Sequence, residues 1–147
     1  FGINLENNTK SILDSIGYQV QNIPKDLDYL IIPCGSCITM GGVIRGLMDY
    51  GIKPKKVVGI QISGLDNKIH VLENIMGERP YEYDLRISKD YAYSKHLNMS
   101  FGSLQLDPLY EAKAMDYLLR YMADDIKGKK VCFWLVGNSS AVRNSIY

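Results

Sequence analysis

Cysteine and histidine are scarce in this chain, with three and two copies in 147 residues, and neither scarcity is neutral. A small, odd set of cysteines builds no disulfide framework, so a reducing, cytoplasmic setting is expected. His70 and His96 stand alone without a carboxylate at metal-ligand spacing, which leaves them surface or packing roles and gives no metal site. An excess of either charge is missing too. A net charge of +1 provides no field that would gather nucleic acid or an anionic membrane. No apolar run approaches the roughly 18 residues of a membrane span, and the longest, such as Val57 to Ile62, are strand-sized. The sequence shows no targeting pattern, repeat, low-complexity tract or interdomain linker. It opens on Phe1 and not on methionine, so the expectation is one domain portion, residues 1–147, lying C-terminal in a longer polypeptide. At 46% hydrophobic and 22% charged, that portion suits one globular core or a large part of one.

Against these absences stands one informative passage, Leu30 to Leu47. Leu30, Ile31 and Ile32 read as a strand buried on both faces, followed by a Gly/Ser/Thr-rich turn that opens a helix. Such a helix start offers backbone N–H groups and the positive end of its dipole to an anion, and Ser36 and Thr39 can add hydroxyls. The same turn holds Cys34 and Cys37 as C-x-x-C at a helix start, the arrangement of thiol redox motifs. A phosphate cradle and a dithiol are therefore both legible in it.

The rest of the chain alternates. Ile12, Leu13 and Ile16 give a helix over Asn8 to Gly17, with Gly17 as its stop and a turn around Pro24. Leu27 to Ile32 is the first strand. The cradle helix runs from Thr39 to Tyr50, with Met40, Val43, Ile44, Leu47 and Met48 inward and Gly51 at its end. Val57 to Ser63 is the second strand, and Asp66 caps a helix carrying Ile69, Leu72 and Ile75 that stops at Gly77. Tyr81 to Ile87 reads as a short strand, and Ser88 to Gln105 is polar, tyrosine-rich and aperiodic. Asp107-Pro108 starts a helix with the face Ala112, Met115, Leu118, Leu119 and Met122. A basic link, Lys127 to Lys130, leads to the strand Val131 to Val136 and a second turn, Gly137 to Ser140. Alternation of this kind predicts an α/β fold: a parallel twisted sheet with helices on both faces.

Four blocks in this order resemble the fold-type II pyridoxal-phosphate enzymes. They are Cys34 to Gly42, Val57 to Ile62, Leu106 to Met115 (Leu-Asp-Pro-Leu-Tyr-Glu-Ala-Lys-Ala-Met) and Val131 to Asn138. The group they resemble most is that of the 1-aminocyclopropane-1-carboxylate deaminases and D-cysteine desulfhydrases, over roughly residues 25 to 147. The resemblance implies the C-terminal part of a tryptophan synthase beta-like large domain. It also implies pyridoxal 5'-phosphate as cofactor, a small amino acid as substrate, deaminase or lyase chemistry, and a homodimer. A family turn of pattern G-S-x-G-T holds the cofactor phosphate, which falls on Gly35, Ser36, Cys37, Ile38 and Thr39. The D-P-x-Y tyrosine, here Tyr110, takes part in proton transfer, and the glutamate after it, here Glu111, faces the pyridine nitrogen. A second family tyrosine falls best on Tyr91, with Tyr93 as the alternative.

This sequence departs from the family pattern at four places, one being the interval from Tyr91 to Tyr110, which is shorter than in the family. Ile38 holds a glycine position, where a β-branched residue resists positive φ and would reshape the cradle. Leu135-Val136-Gly137-Asn138 replaces a His-Thr-Gly-Gly-like turn, and no lysine here fits the Schiff-base position, which lies far upstream in the family. Two other readings stay open: a non-catalytic family member serving as a binding or assembly module, and a thioredoxin-like thiol protein using Cys34 and Cys37.

Overall fold

A computed structural model of the chain describes residues 5–62 and 68–135. The elements are α1 (Leu5–Tyr18), a 3-10 turn (Gln19–Asn22), β1 (Tyr29–Cys34), α2 (Ile38–Tyr50), β2 (Lys56–Ile62), α3 (Ile69–Met76), β3 (Asp84–Ser88), β4 (Ser100–Phe101), β5 (Leu104–Gln105), α4 (Glu111–Tyr121), α5 (Ala123–Ile126) and β6 (Val131–Phe133). The Asp66 cap, Ser63, Val136 and the turn at 137–140 expected from the sequence lie outside the described residues.

β1 is buried along its whole length, as its aliphatic run requires. It is an inner strand of a four-stranded sheet ordered β3-β2-β1-β6, in which every neighbouring pair is parallel. Side-chain alternation along β1 divides the core in two. Leu30, Ile32 and Cys34 join Val43, Ile44 and Leu47 of α2 and Leu72 of α3 on one face. Tyr29 and Ile31 join Ala112, Met115 and Leu118 of α4 on the other, together with Val58, Ile60 and Ile62 of β2. The sheet is therefore covered by helices on both sides. Each fully buried Leu or Ile contributes roughly 1.5–3 kcal/mol, so neither layer is dispensable.

Pro33 lies inside this inner strand, an uncommon place for a residue without an N–H. Trp134 N–H donates to Ile31 O at 2.8 Å, so the odd residues of β1 direct their backbone groups at β6. The β1–β6 ladder ends at the Ile31–Phe133 pair, and the position of Pro33 comes after it. The strand thus runs past Ile32, where the sequence suggested it would stop, to Cys34.

Gly17 does not end α1. It lies within the helix, packed on α2, where a Cβ on Gly46 would stand 2.3 Å from Gly17 O and one on Gly42 would stand 2.9 Å from the Ile16 side chain. The two helices approach through bare backbone, so glycine is used here for close contact and not for termination. α2 itself ends as expected, with Gly51 at φ 66° donating to the Leu47 and Met48 carbonyls. The aperiodic stretch before residue 106 holds only the small antiparallel pair β4–β5, turned by Gly102 at φ 61°.

Gly46→Ala tests the α1–α2 contact. Alanine gains about 1 kcal/mol of helix propensity, but the methyl group meets backbone that cannot rotate away. The expected net result is a loss of about 1–3 kcal/mol in urea unfolding. An unchanged midpoint would show that the helices are farther apart than this.

Candidate functional site

The strand order reverses at β1: the chain builds β2 and β3 to one side and returns to place β6 on the other. In open parallel sheets the crevice beyond the C-terminal strand ends at such a reversal is where ligands bind. The turn Gly35 to Cys37 occupies this point, and α2 begins directly after it. Cys37 caps that helix in the left-handed region, at φ 67°. The positive φ required by the turn therefore falls on Cys37, and Ile38 is an ordinary first helical residue. The β-branched side chain at 38 imposes no backbone strain, contrary to the expectation from the glycine it replaces. Ser36 is exposed and its Oγ accepts a long hydrogen bond, 3.4 Å, from Ile38 N–H; Thr39 is half-buried one residue further on.

Tyr110 reaches this turn from the other face of the sheet. A Cβ on Gly35 would stand 2.7 Å from Tyr110 Cε1 and 3.3 Å from its hydroxyl, so only glycine lets the ring lie where it does. The start of α4 holds the tyrosine there. Asp107 Oδ2 accepts from Tyr110 N–H at 2.9 Å and Leu109 N–H at 3.3 Å. Glu111 Oε2 accepts from Asp107 N–H at 3.0 Å, a reciprocal capping arrangement like the one that closes many helix starts. Glu111 is 2% exposed, and this capping contact is where the structure places its carboxylate.

Tyr93, not Tyr91, is the tyrosine brought to Tyr110. Their hydroxyls are 2.6 Å apart and their rings meet edge to face, with centroids 6.0 Å apart. Tyr91 donates instead to Asp116 Oδ2 at 3.0 Å and accepts from Arg120, on the flank of α4. Burial, the Tyr93 hydrogen bond and the nearby Asp107 charge push the Tyr110 phenol up to about 12, so it holds its proton at neutral pH.

The dithiol reading meets a different geometry from the one it needs. Both cysteines are buried beneath the turn, and Cys34 Sγ also contacts Met40 Sδ at 3.6 Å. The hydrogen bond to Cys37 and burial push the Cys34 thiol well above its ordinary value, while the same contact and the Lys68 charge draw Cys37 down. The expected nucleophile, Cys34, is thus the thiol held protonated, and neither sulfur faces solvent as an exchanging dithiol must.

No family model matches the chain, and no curated protein matches it. Among solved structures, a crystal structure of an ACC deaminase homologue superposes with a TM-score of 0.67 at 20% identity, covering 90% of this chain. The chain has the fold of part of that protein. It spans 46% of that protein's length.

The sequence pattern does not fix the place of three residues in this region. Tyr93 competes with Tyr91 two positions away, and only the path of an aperiodic loop separates them. Lys68 precedes α3 near the C-terminal end of β2, where strand ends carry function, and its charge reaches Cys37. Lys113 belongs to the block Leu106 to Met115 and matches a family lysine other than the Schiff-base residue, but nothing in the pattern shows that it is completely buried.

Two outcomes follow from this geometry. Asp107→Ala removes the acceptor for two N–H groups and is expected to cost about 0.5–2 kcal/mol in denaturant unfolding, with Asp107→Asn close to neutral. The raised Tyr110 group favours the folded state fully below pH 10, its unfolded value, and loses that contribution as pH rises to about 12. Across that window stability is expected to fall more steeply in the wild type than in Tyr110→Phe. Parallel curves would mean that Tyr110 titrates normally.

Proposed function

We propose that the protein to which these residues belong is a pyridoxal-phosphate-dependent deaminase or lyase acting on a small amino acid, as the sequence resemblance implies. This chain supplies the phosphate cradle and a proton-carrying tyrosine. The observation that carries the reading is the closeness of Tyr110 to Gly35, which sets a protonated phenol beside a helix-opening turn at the switch point of the sheet. The likeness of fold to part of an ACC deaminase homologue supports it.

The residues present fit a phosphate. Gly35 leaves the turn open under the Tyr110 ring, Ser36 presents an exposed hydroxyl, and Cys37 takes the left-handed conformation that starts α2. Backbone N–H groups of Cys37, Ile38 and Thr39, at the positive end of the α2 dipole, would hold the phosphate with the Ser36 and Thr39 hydroxyls. The Lys68 charge on the Cys37 side adds to the attraction. When bound, the cofactor supplies an electron sink for carbanion chemistry at the amino acid.

The work of this chain is then binding and proton handling. Tyr110 holds a proton at its hydroxyl in neutral solution, and Tyr93 lies within hydrogen-bond reach to receive or return one. Asp107 keeps the Tyr110 backbone fixed, and Glu111 braces Asp107 in turn. The lysine that bonds the cofactor in the family lies outside residues 1–147 in this reading.

An absorbance titration of the natural full-length protein with pyridoxal phosphate tests the proposal. The expected result is a visible band abolished by borohydride, with the label on a lysine outside this stretch. Ser36→Ala is expected to weaken cofactor affinity about tenfold, the size of one hydrogen bond to a charged group. Tyr110→Phe is expected to lower turnover of the best amino-acid substrate by about 10²–10⁴. No band at saturating cofactor would refute the enzyme reading and favour a binding or assembly module.

A further inference from the structure

Lys113 has no exposed surface at all and is among the largest fully enclosed side chains of the chain. It lies near the start of α4, where the helix dipole disfavours a cation, and burial pushes its ammonium down from the ordinary lysine value. Alanine or leucine would suit such a position better if filling the core were its task, so its charge and donors need another explanation.

Its donors supply one. Nζ donates to Tyr93 O at 2.9 Å and to Ala92 O at 3.1 Å. Both carbonyls belong to the stretch between β3 and β4, which has no helix or strand of its own to fix it. The side chain of Tyr93 itself meets the Tyr110 hydroxyl at 2.6 Å. A continuous line of contacts therefore runs from the buried lysine through the 92–93 main chain and the Tyr93 hydroxyl to Tyr110 and Gly35.

We propose that Lys113 is a positioning residue: by tying down the Ala92 and Tyr93 carbonyls from inside the core, it sets the Tyr93 hydroxyl on Tyr110 and so presents the tyrosine of the site as a pair. The Lys113 hydrogen bonds go to main-chain carbonyls and not to the phenols. The charged group facing it is Asp107, whose carboxylate also caps Tyr110, so anchor and cap share one neighbourhood. The inference rests on reading Tyr110 as a site residue, but its test does not need the cofactor.

The test is a pH titration of the natural full-length protein, without cofactor, carrying [13Cζ]tyrosine, with the Tyr110 signal identified by its loss in Tyr110→Phe. In the wild type that signal is expected to titrate near 12. In Lys113→Met, and equally in Tyr93→Phe, it is expected to move down toward the ordinary tyrosine value, the part of the shift due to burial remaining. Lys113→Gln, which keeps a donor on a shorter stem, is expected to fall between. An unchanged Tyr110 signal in a folded Lys113→Met, or in Tyr93→Phe, overturns the proposal. Failure of both Lys113 variants to fold overturns it as well, the lysine then serving the fold and not the pair. A wild type that shows the shift on substitution but binds no pyridoxal phosphate refutes the functional reading and leaves the positioning role standing.

Discussion

A hydrogen atom where other residues carry a methyl group lets the Tyr110 ring lie against Gly35, and the organisation of the site depends on that spacing. The turn belongs to the layer of α2, while the tyrosine arrives with α4 from the opposite face of the sheet. Their contact at the end of β1 is where the two layers meet across the strand they share. A side chain at 35 would crowd the ring and force one of them to shift.

Around that contact, the polar groups serve to place one side chain. Asp107 takes up N–H groups of the helix start, Glu111 secures Asp107, and Tyr93 completes the phenol's hydrogen bond. Two of these groups, Asp107 and Glu111, are buried carboxylates, and a third polar group, Lys113, is buried beside them. Buried charge is costly and is kept only where hydrogen bonds compensate it. Here the compensation comes from main-chain groups, which fixes the geometry more rigidly than side-chain pairs would. Glu111 illustrates a competition: the family resemblance turns it toward a ring nitrogen, while the capping contact uses the same carboxylate.

The sheet was largely legible from the sequence because its strands are buried on both faces and therefore read as unbroken aliphatic runs. Leu30 to Ile32 and Val57 to Ile62 read as strands from their short length and β-branched content. Ends were less legible. Gly17 has the composition of a helix stop and is used for helix contact, because a neighbouring backbone, invisible in local sequence, sits against it. At the site, the turn and Tyr110 stand out through their motif, whereas the choice between Tyr91 and Tyr93 depends on a loop fixed by Lys113 some twenty residues away. The strain assigned to Ile38 was misplaced by one residue. The motif gives the order of residues in the turn, and only the backbone shows that Cys37 takes the positive φ.

Beneath the turn, Cys34, Cys37 and Met40 form a floor of sulfur with almost no exposed surface. That floor makes the turn self-reporting. A thiol sealed in this way reacts only in molecules whose β1–α2 connection has opened, so the rate at which an alkylating reagent reaches Cys37 counts those openings. A ligand that settles on the turn and stabilises the folded arrangement slows this clock, whatever its chemistry.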